Sequence, residues 1–356
     1  MRTLVVSDLH LGAAPHTDAL RRPGPLAALQ EAVSRADRLV LLGDALELRH
    51  GPMRDALAAA EPVFAALGEA LGPKEVVLVP GNHDHALIAP WLERRAEVTA
   101  PGPLALEQRA GPDASRASAR LAEALDPARL DVAYPGVVLR DDVYAIHGHY
   151  LDRLITIPTF ERVAAGAMTR IVGPLPTGHA DPDDFEHALA PLYAWMEVVA
   201  QQGSWTASRQ AVSAKTWQLL AGDGPRPVRA RALAGLFPVA VAAINRAGLG
   251  PISSSLSPQE LRRAGLRAMG EVVRLLGLPH RHVLFGHTHR AGPLPEDDPG
   301  EWIAPTGASL HNGGAWIDEP IFAVGGPGSP YWGGRGMWVD DEGPPRLERL
   351  AADLGA

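Results

Sequence analysis

Cysteine is absent from the 356 residues, so no disulfide framework can hold this chain and no thiolate can ligate a metal. A reducing compartment is therefore allowed but not required. Lysine occurs only at Lys74 and Lys215, and arginine carries nearly all the positive charge. The formal charge of -8 leaves no cationic excess to release counterions from a nucleic-acid backbone. Nor does a basic, aromatic-studded groove stand out, so no nucleic-acid partner is expected. No run of 18 or more apolar residues occurs, so no transmembrane helix is expected. The N-terminus enters an apolar strand at Leu4-Val5-Val6 with no basic and then apolar leader before it, and a cytoplasmic location is expected. No internal repeat is evident.

What is present suits a globular chain. The apolar fraction of 46% supports an ordinary core, and the length suits one large domain or two. The 33 prolines and abundant alanine fit either a coding bias or heat stability, and composition does not separate them.

The chemistry gathers around Leu39-Val40-Leu41-Leu42-Gly43-Asp44. The apolar run reads as a buried parallel strand. Gly43 permits a tight turn and leaves Asp44 at the carboxyl end, where open α/β sheets bind ligands. A carboxylate there can bridge two cations. Four further apolar runs end the same way: in Asp8-x-His10, Gly81-Asn82-His83-Asp84, His147-Gly-His149 and Gly286-His287-x-His289. Each is weak evidence alone. Asp8 could sit in a surface turn, Asn82 or Asp84 could cap a helix, and His147 could be a core histidine. Their joint order, each after a strand, is the signal.

Between these blocks, apolar spacing predicts helices over 25–36, 53–71 and 85–96, with Pro62 standing as a potential break in the second. Alternating strands and helices imply a mostly parallel sheet. Residues 110–129 read as a surface helix or loop, and residues 137–146 as a hairpin. The long segment 151–279 carries helical patterns at 184–202, 204–221, 228–247 and 258–277. Ser257-Pro258-Gln259-Glu260 is a good start for the last. After His289, Leu310–Ile317 and Phe322–Val324 read as short strands of a second sheet.

The five ligand blocks resemble those of the calcineurin-like metallophosphoesterases over roughly residues 1–150 and 280–340. That resemblance implies a four-layer α/β/β/α sandwich, with the core in residues 1–150 and 280–356 and a helical cap inserted at 151–279. Carried over block by block, it implies that Asp8, His10, Asp44 and His289 hold one metal, and that Asp44, Asn82, His147 and His287 hold a second. Nitrogen and oxygen donors without thiolate suit two divalent ions, Mn²⁺ foremost, with Fe²⁺ or Zn²⁺ as alternatives. Such a pair, about 3.5–4 Å apart, activates a bridging hydroxide for in-line attack on phosphorus. The net positive charge of such a site can hold a phosphate ester. His83 and Asp84 are the candidate catalytic residues. The resemblance implies that His83 stabilises the transition state or protonates the leaving oxygen, and Asp84 is the expected carboxylate that orients it.

Other residues keep two readings. Glu47 could stand behind the ligands or cap the next helix, and Arg290 could meet phosphate or make an ion pair. His149 reads as structural or behind the ligands, and His16 and His50 as surface residues. Arg262, Arg263, Arg267 and Arg274 could face an anionic head group, although solvated helix residues are the default.

The expected reaction is hydrolysis of a phosphodiester or pyrophosphate bond in a small phosphoester. Asp-Leu-His-Leu at 8–11, Gly-Asp-x-x-Glu at 43–47, His147-Gly and Gly-His-Thr-His-Arg at 286–290 also resemble UDP-2,3-diacylglucosamine diphosphatases, which implies a nucleotide-lipid substrate and peripheral membrane contact through the cap. Two departures stand against that subgroup: His83 where it typically has arginine, and a much longer insertion. From another class, a catalytically silent binding scaffold of the same fold should show broken ligands, and none is broken here.

Overall fold

The computed structural model describes residues 1–14, 16–156, 175–201, 258–318 and 326–352, with Gly173, Ala242, Asn245, Arg246 and Leu354 as single positions. The predicted helices at 204–221 and most of 228–247, and the strand at Phe322–Val324, lie outside the described residues.

The strands predicted before the ligand blocks are β1 (Thr3–Val6), β2 (Arg38–Leu42), β3 (Glu75–Val79), β6 (Val143–Ile146) and β7 (His282–Phe285). With β4 (Glu107–Arg109), β5 (Arg129–Arg140), β8 (Ser309–Asn312), β9 (Arg335–Val339) and β10 (Arg346–Arg349) they form one hydrogen-bonded path, β10-β9-β1-β2-β3-β5-β6-β7-β8, with β4 on β5. β1, β2, β3 and the start of β5 pair in parallel, as do β6, β7 and β8. The second part of β5 pairs antiparallel with β6 and makes the predicted hairpin.

β5 is therefore shared by two half-sheets. Alternation along the strands shows how the halves stack. Val5, Val40, Leu42, Val77 and Val79 from the first half share a core with Val143, Ala145 and Leu284 from the second. The intervening residues Leu4, Val6, Leu39, Leu41, Val76 and Leu78 face a helical layer instead. Tyr144, Ile146, Val283 and Phe285 face another. Three hydrophobic seams separate four layers, the α/β/β/α sandwich. Burial on both faces explains why the strands read as unbroken apolar runs, each Val or Leu contributing roughly 1.5–3 kcal/mol. Gly136 sits where β5 changes partners. A Cβ there would lie 2.3 Å from Tyr144 Oη and 2.5 Å from the Ala145 carbonyl oxygen.

The first helical layer is α1 (Pro23–Ser34), α2 (Met53–Leu71) and α4 (Arg116–Ala124). α2 stays a single helix across Pro62 and buries Leu57, Val63, Phe64, Leu67 and Leu71. Gly72, at φ 68°, ends it. α4 is a packed helix, with a Ser115–Ser118 capping box and Leu121 in the core. The predicted helix at 85–96 divides into a 3-10 turn, His85–Leu87, and α3, Ala89–Ala96.

The described ends of the long segment are α5 (Pro182–Gln201) and α6 (Pro258–Leu275). Their residues Phe185, Leu189, Met269 and Val272 share one core with β6 and β7, so these helices cover the second half-sheet. No helix among the described residues is long and apolar enough to cross a membrane.

Candidate metal centre

The ligand candidates follow the carboxyl ends of five strands, and the sandwich brings these ends together. Asp8 and His10 follow β1, Asp44 follows β2, and Asn82 and His83 follow β3. His147 follows β6, and His287 and His289 follow β7. Five of these residues hold a left-handed backbone: Asp8 (φ 56°), His10 (45°), Asp44 (51°), His287 (63°) and His289 (57°). For non-glycine residues this costs of order 1 kcal/mol each and clusters at functional sites. Crossed backbone hydrogen bonds keep the turns in place, with Asp8 N donating to Gly43 O (3.0 Å) and His10 N to Asp44 O (2.8 Å). Gly43 and Gly81 make room: a Cβ would lie 2.1 Å from His147 Nδ1 at the first and 2.3 Å from Asp44 Oδ1 at the second.

Three overlapping donor groups result: Asp8, His10 and His289; His10, Asp44 and His83; and Asp44, His147 and His287. In the first, His289 Nε2 lies 3.3 Å from Asp8 Oδ1 and 3.2 Å from His10 Nε2. Asp44 Oδ2 stands 3.8 Å from His10 Nε2 and 3.2 Å from His147 Nε2, so it reaches both sides. Asn82 Oδ1 lies 3.2 Å from His147 Nε2 and 3.1 Å from His287 Nδ1.

The far nitrogens of three imidazoles are anchored. His147 Nδ1 donates to Leu42 O (2.9 Å), His10 Nδ1 to Glu47 Oε2 (3.0 Å) and His287 Nε2 to Asp152 Oδ1 (2.8 Å). Each anchor engages the far nitrogen and so turns the other nitrogen toward the centre, where it can ligate a metal. Asn82 Oδ1 then faces the inward nitrogens of His147 and His287 and the Asp44 carboxylate. Turning the amide over would instead set its NH2 on these three groups and its oxygen on Arg49, at 3.1 and 3.2 Å. The oxygen-inward arrangement is the one a cation stabilises, so these residues fit divalent ions.

Burial pushes Asp44 up, but His147, His83 and His10 outweigh it and hold its carboxyl well below the usual range. Burial opposes charge on His147 too, yet Asp44 raises it to about 9 in the metal-free protein. His83 is pushed down to about 4 by burial and the Arg49 guanidinium, against Glu47 and Asp44. It is thus a neutral imidazole near pH 7.

The carboxylate that orients His83 is Glu47, not Asp84. His83 Nδ1 donates to Glu47 Oε2 at 2.8 Å. Asp84 is consumed by the backbone: it accepts from the N–H groups of Gly81 (2.7 Å), Ala45 (2.7 Å), Leu46 (3.2 Å) and Asp44 (3.3 Å). It clamps the turn that presents Asp44. The neighbouring position in the sequence suggested Asp84, but the turn carries its side chain away from the imidazole. Glu47 also holds His10, and Asp152 holds His287. The Gly-Asp-x-x-Glu spacing was a signal for the first; nothing in the sequence marked the second.

Arg290 pairs with Asp297, which selects its ion-pair reading. His149 is fully buried, with Nε2 3.2 Å from Tyr134 Oη, behind the ligands. His16 bonds Arg21 on the surface, whereas His50 is turned inward, with Nε2 3.8 Å from Glu47. Arg262 and Arg263 pair with Glu301, Arg267 with Glu260 and Arg274 with Glu271, so the arginines of α6 lie in ion pairs. A cavity of about 790 Å³ opens beside the centre, lined by Asn82, His83, Arg49 and residues of α3 and α5.

Residues 1–291 match the family model described as calcineurin-like phosphoesterase. The chain belongs to this family. No curated protein matches the chain. The family match spans all five blocks from Asp8 through His289, the same residues that the sandwich gathers into one centre.

Proposed function

We propose that this calcineurin-like phosphoesterase is an active hydrolase that holds two divalent ions, Mn²⁺ foremost, and cleaves a phosphodiester or pyrophosphate bond with water as the nucleophile. The observation that carries this reading is the convergence of Asp44 Oδ2, Asn82 Oδ1, His147 Nε2 and His287 Nδ1, with Asp8, His10 and His289 on the other side of Asp44. When bound, such ions supply a nucleophile by lowering the pKa of water, and offset phosphate charge. The chain's own residues do the rest. His10, His147 and His287 are aimed by Glu47, Leu42 O and Asp152. His83, neutral and held by Glu47 through Nδ1, lines the cavity, where its other nitrogen can meet a phosphoryl or leaving oxygen.

The test is hydrolysis of bis(p-nitrophenyl) phosphate and p-nitrophenyl phosphate by metal-free protein with Mn²⁺ added back, beside Asp44→Asn and His83→Ala. Mn²⁺-dependent diester cleavage, lost in both variants, is expected. Cleavage of the monoester alone would refute the diester assignment. Inactivity together with no metal uptake would refute the enzyme reading.

A further inference from the structure

The wall of the cavity beside the metal centre holds a buried donor that has no acceptor among the described residues. Tyr193 lies on α5, on one helical stripe with Glu186, Leu189 and Met196, all four buried. Glu186 is fully engaged: it accepts from Tyr150 Oη (2.9 Å) and Tyr134 Oη and meets His85 Nε2 at 3.0 Å. Tyr193 is different. It is 3% exposed and its hydroxyl has no hydrogen-bond partner among the described residues. Its ring is fixed at centroid distances of 5.3 Å from His85 and 5.7 Å from His149, with the Arg49 guanidinium carbon 5.5 Å from the ring centroid. It lines the same cavity as Asn82, His83 and Arg49.

Leaving a buried donor without an acceptor is unfavourable, and the cost is relieved when an acceptor enters. The acceptor expected in this cavity is a phosphate oxygen. We infer that Tyr193 is a substrate-contacting residue, whose hydroxyl donates to a non-bridging oxygen of the phosphoester held beside Asn82 and His83. The inference rests on the phosphoesterase reading and goes beyond it, because the contact comes from a helix of the 151–279 segment rather than from the five ligand blocks. Burial, with the Asp152, Glu186 and Asp44 carboxylates, holds the phenol well above its ordinary range despite Arg49, so it remains a donor. A structural alternative has the hydroxyl sharing a water with Asp152 Oδ2, which is also buried and has no partner among the described residues.

Phosphate binding separates the two. The full chain and Tyr193→Phe are compared by calorimetry, first for Mn²⁺ uptake by the metal-free proteins, then for inorganic phosphate binding to the Mn²⁺-loaded proteins. Both are also compared for melting temperature and for kcat and KM on bis(p-nitrophenyl) phosphate. Tyr193→Phe should take up Mn²⁺ and melt like the parent, bind phosphate about 10-fold more weakly, and lose about 10-fold or more in kcat/KM, the range of one hydrogen bond to a charged group. Equal phosphate affinity in the two proteins would overturn the inference, as would a parent that binds no phosphate. A variant that loses Mn²⁺ or melts far lower would make Tyr193 structural, also overturning it. A parent that turns over no ester sinks the phosphoesterase proposal instead, and the phosphate comparison still judges Tyr193.

Discussion

Glu47→Gln is the sharpest test of how the centre is built. Glu47 is 2% exposed, and one of its oxygens, Oε2, accepts from both His10 Nδ1 (3.0 Å) and His83 Nδ1 (2.8 Å). The other, Oε1, accepts from the Arg49 backbone N–H at 2.9 Å. Burial pushes Glu47 up, but the imidazoles of His83, His50 and His10 hold its carboxyl well below the usual range, so it is a carboxylate at neutral pH. Glutamine has the same shape but only one acceptor oxygen. Placed toward the histidines, its oxygen leaves its NH2 against the Arg49 N–H. Placed the other way, its NH2 meets two imidazole N–H groups. Either orientation sets donor against donor, with loss of a hydrogen bond to a charged group, about 1.5–3 kcal/mol. Partners behind metal ligands typically govern about 10–100-fold in affinity or activity. We expect Glu47→Gln to weaken Mn²⁺ binding and diester turnover by that factor. Calorimetric titration of metal-free protein gives the first and initial rates at saturating Mn²⁺ the second. Parent-like values for both would refute the claim that Glu47 aims His10 and His83.

Asp84→Asn should destabilise rather than inactivate. An amide offers one acceptor oxygen to a turn that now gives Asp84 four N–H groups, and leaving donors unmet costs about 1–3 kcal/mol each, read by urea unfolding. Gly43→Ala combines φ 83° with a Cβ 2.1 Å from His147 Nδ1, and should cost on the order of 2–4 kcal/mol and abolish metal uptake, checked by melting and metal analysis. Chelation should lower the melting temperature and Mn²⁺ at about 100-fold over its Kd should restore roughly 2.7 kcal/mol, seen as a concentration-dependent melting curve. His311, pushed from 6.5 to about 4 by burial and by His282, stays neutral in the fold while the unfolded chain takes up a proton. Its contribution is full above pH 6.5 and lost as pH falls toward 4, up to about 3 kcal/mol, so His311→Gln should flatten the acid limb of stability against pH.

Much of the centre was legible in the sequence because strand-end ligands are local. An apolar run, a glycine and a ligand stand together, as at Leu42-Gly43-Asp44, and the five runs could be read one by one. Partnership across the centre was not legible. Glu47 reaches His83 from 36 positions away and Asp152 reaches His287 from 135, distances that only the folded chain closes. Chain adjacency misled in the opposite sense at Asp84, because a residue next to its expected partner can be turned to the other side of a tight loop. Pro62 looked like a break, yet α2 runs through it with its apolar face against the first half-sheet. Tyr193 carried no signal, since a tyrosine on an apolar helical stripe reads as core.

The corner in β5 has one more consequence. Asp8, Asp44 and Asn82 hang from one half-sheet, and His147, His287 and His289 from the other. The two donor sets are therefore the jaws of a caliper, and β5 is its pivot. At that pivot Gly136 packs against Tyr144 and Ala145 so closely that a Cβ would clash with both. For the two proposed ions, we expect a larger residue at Gly136, which touches no ligand, to change metal affinity while every donor stays the same.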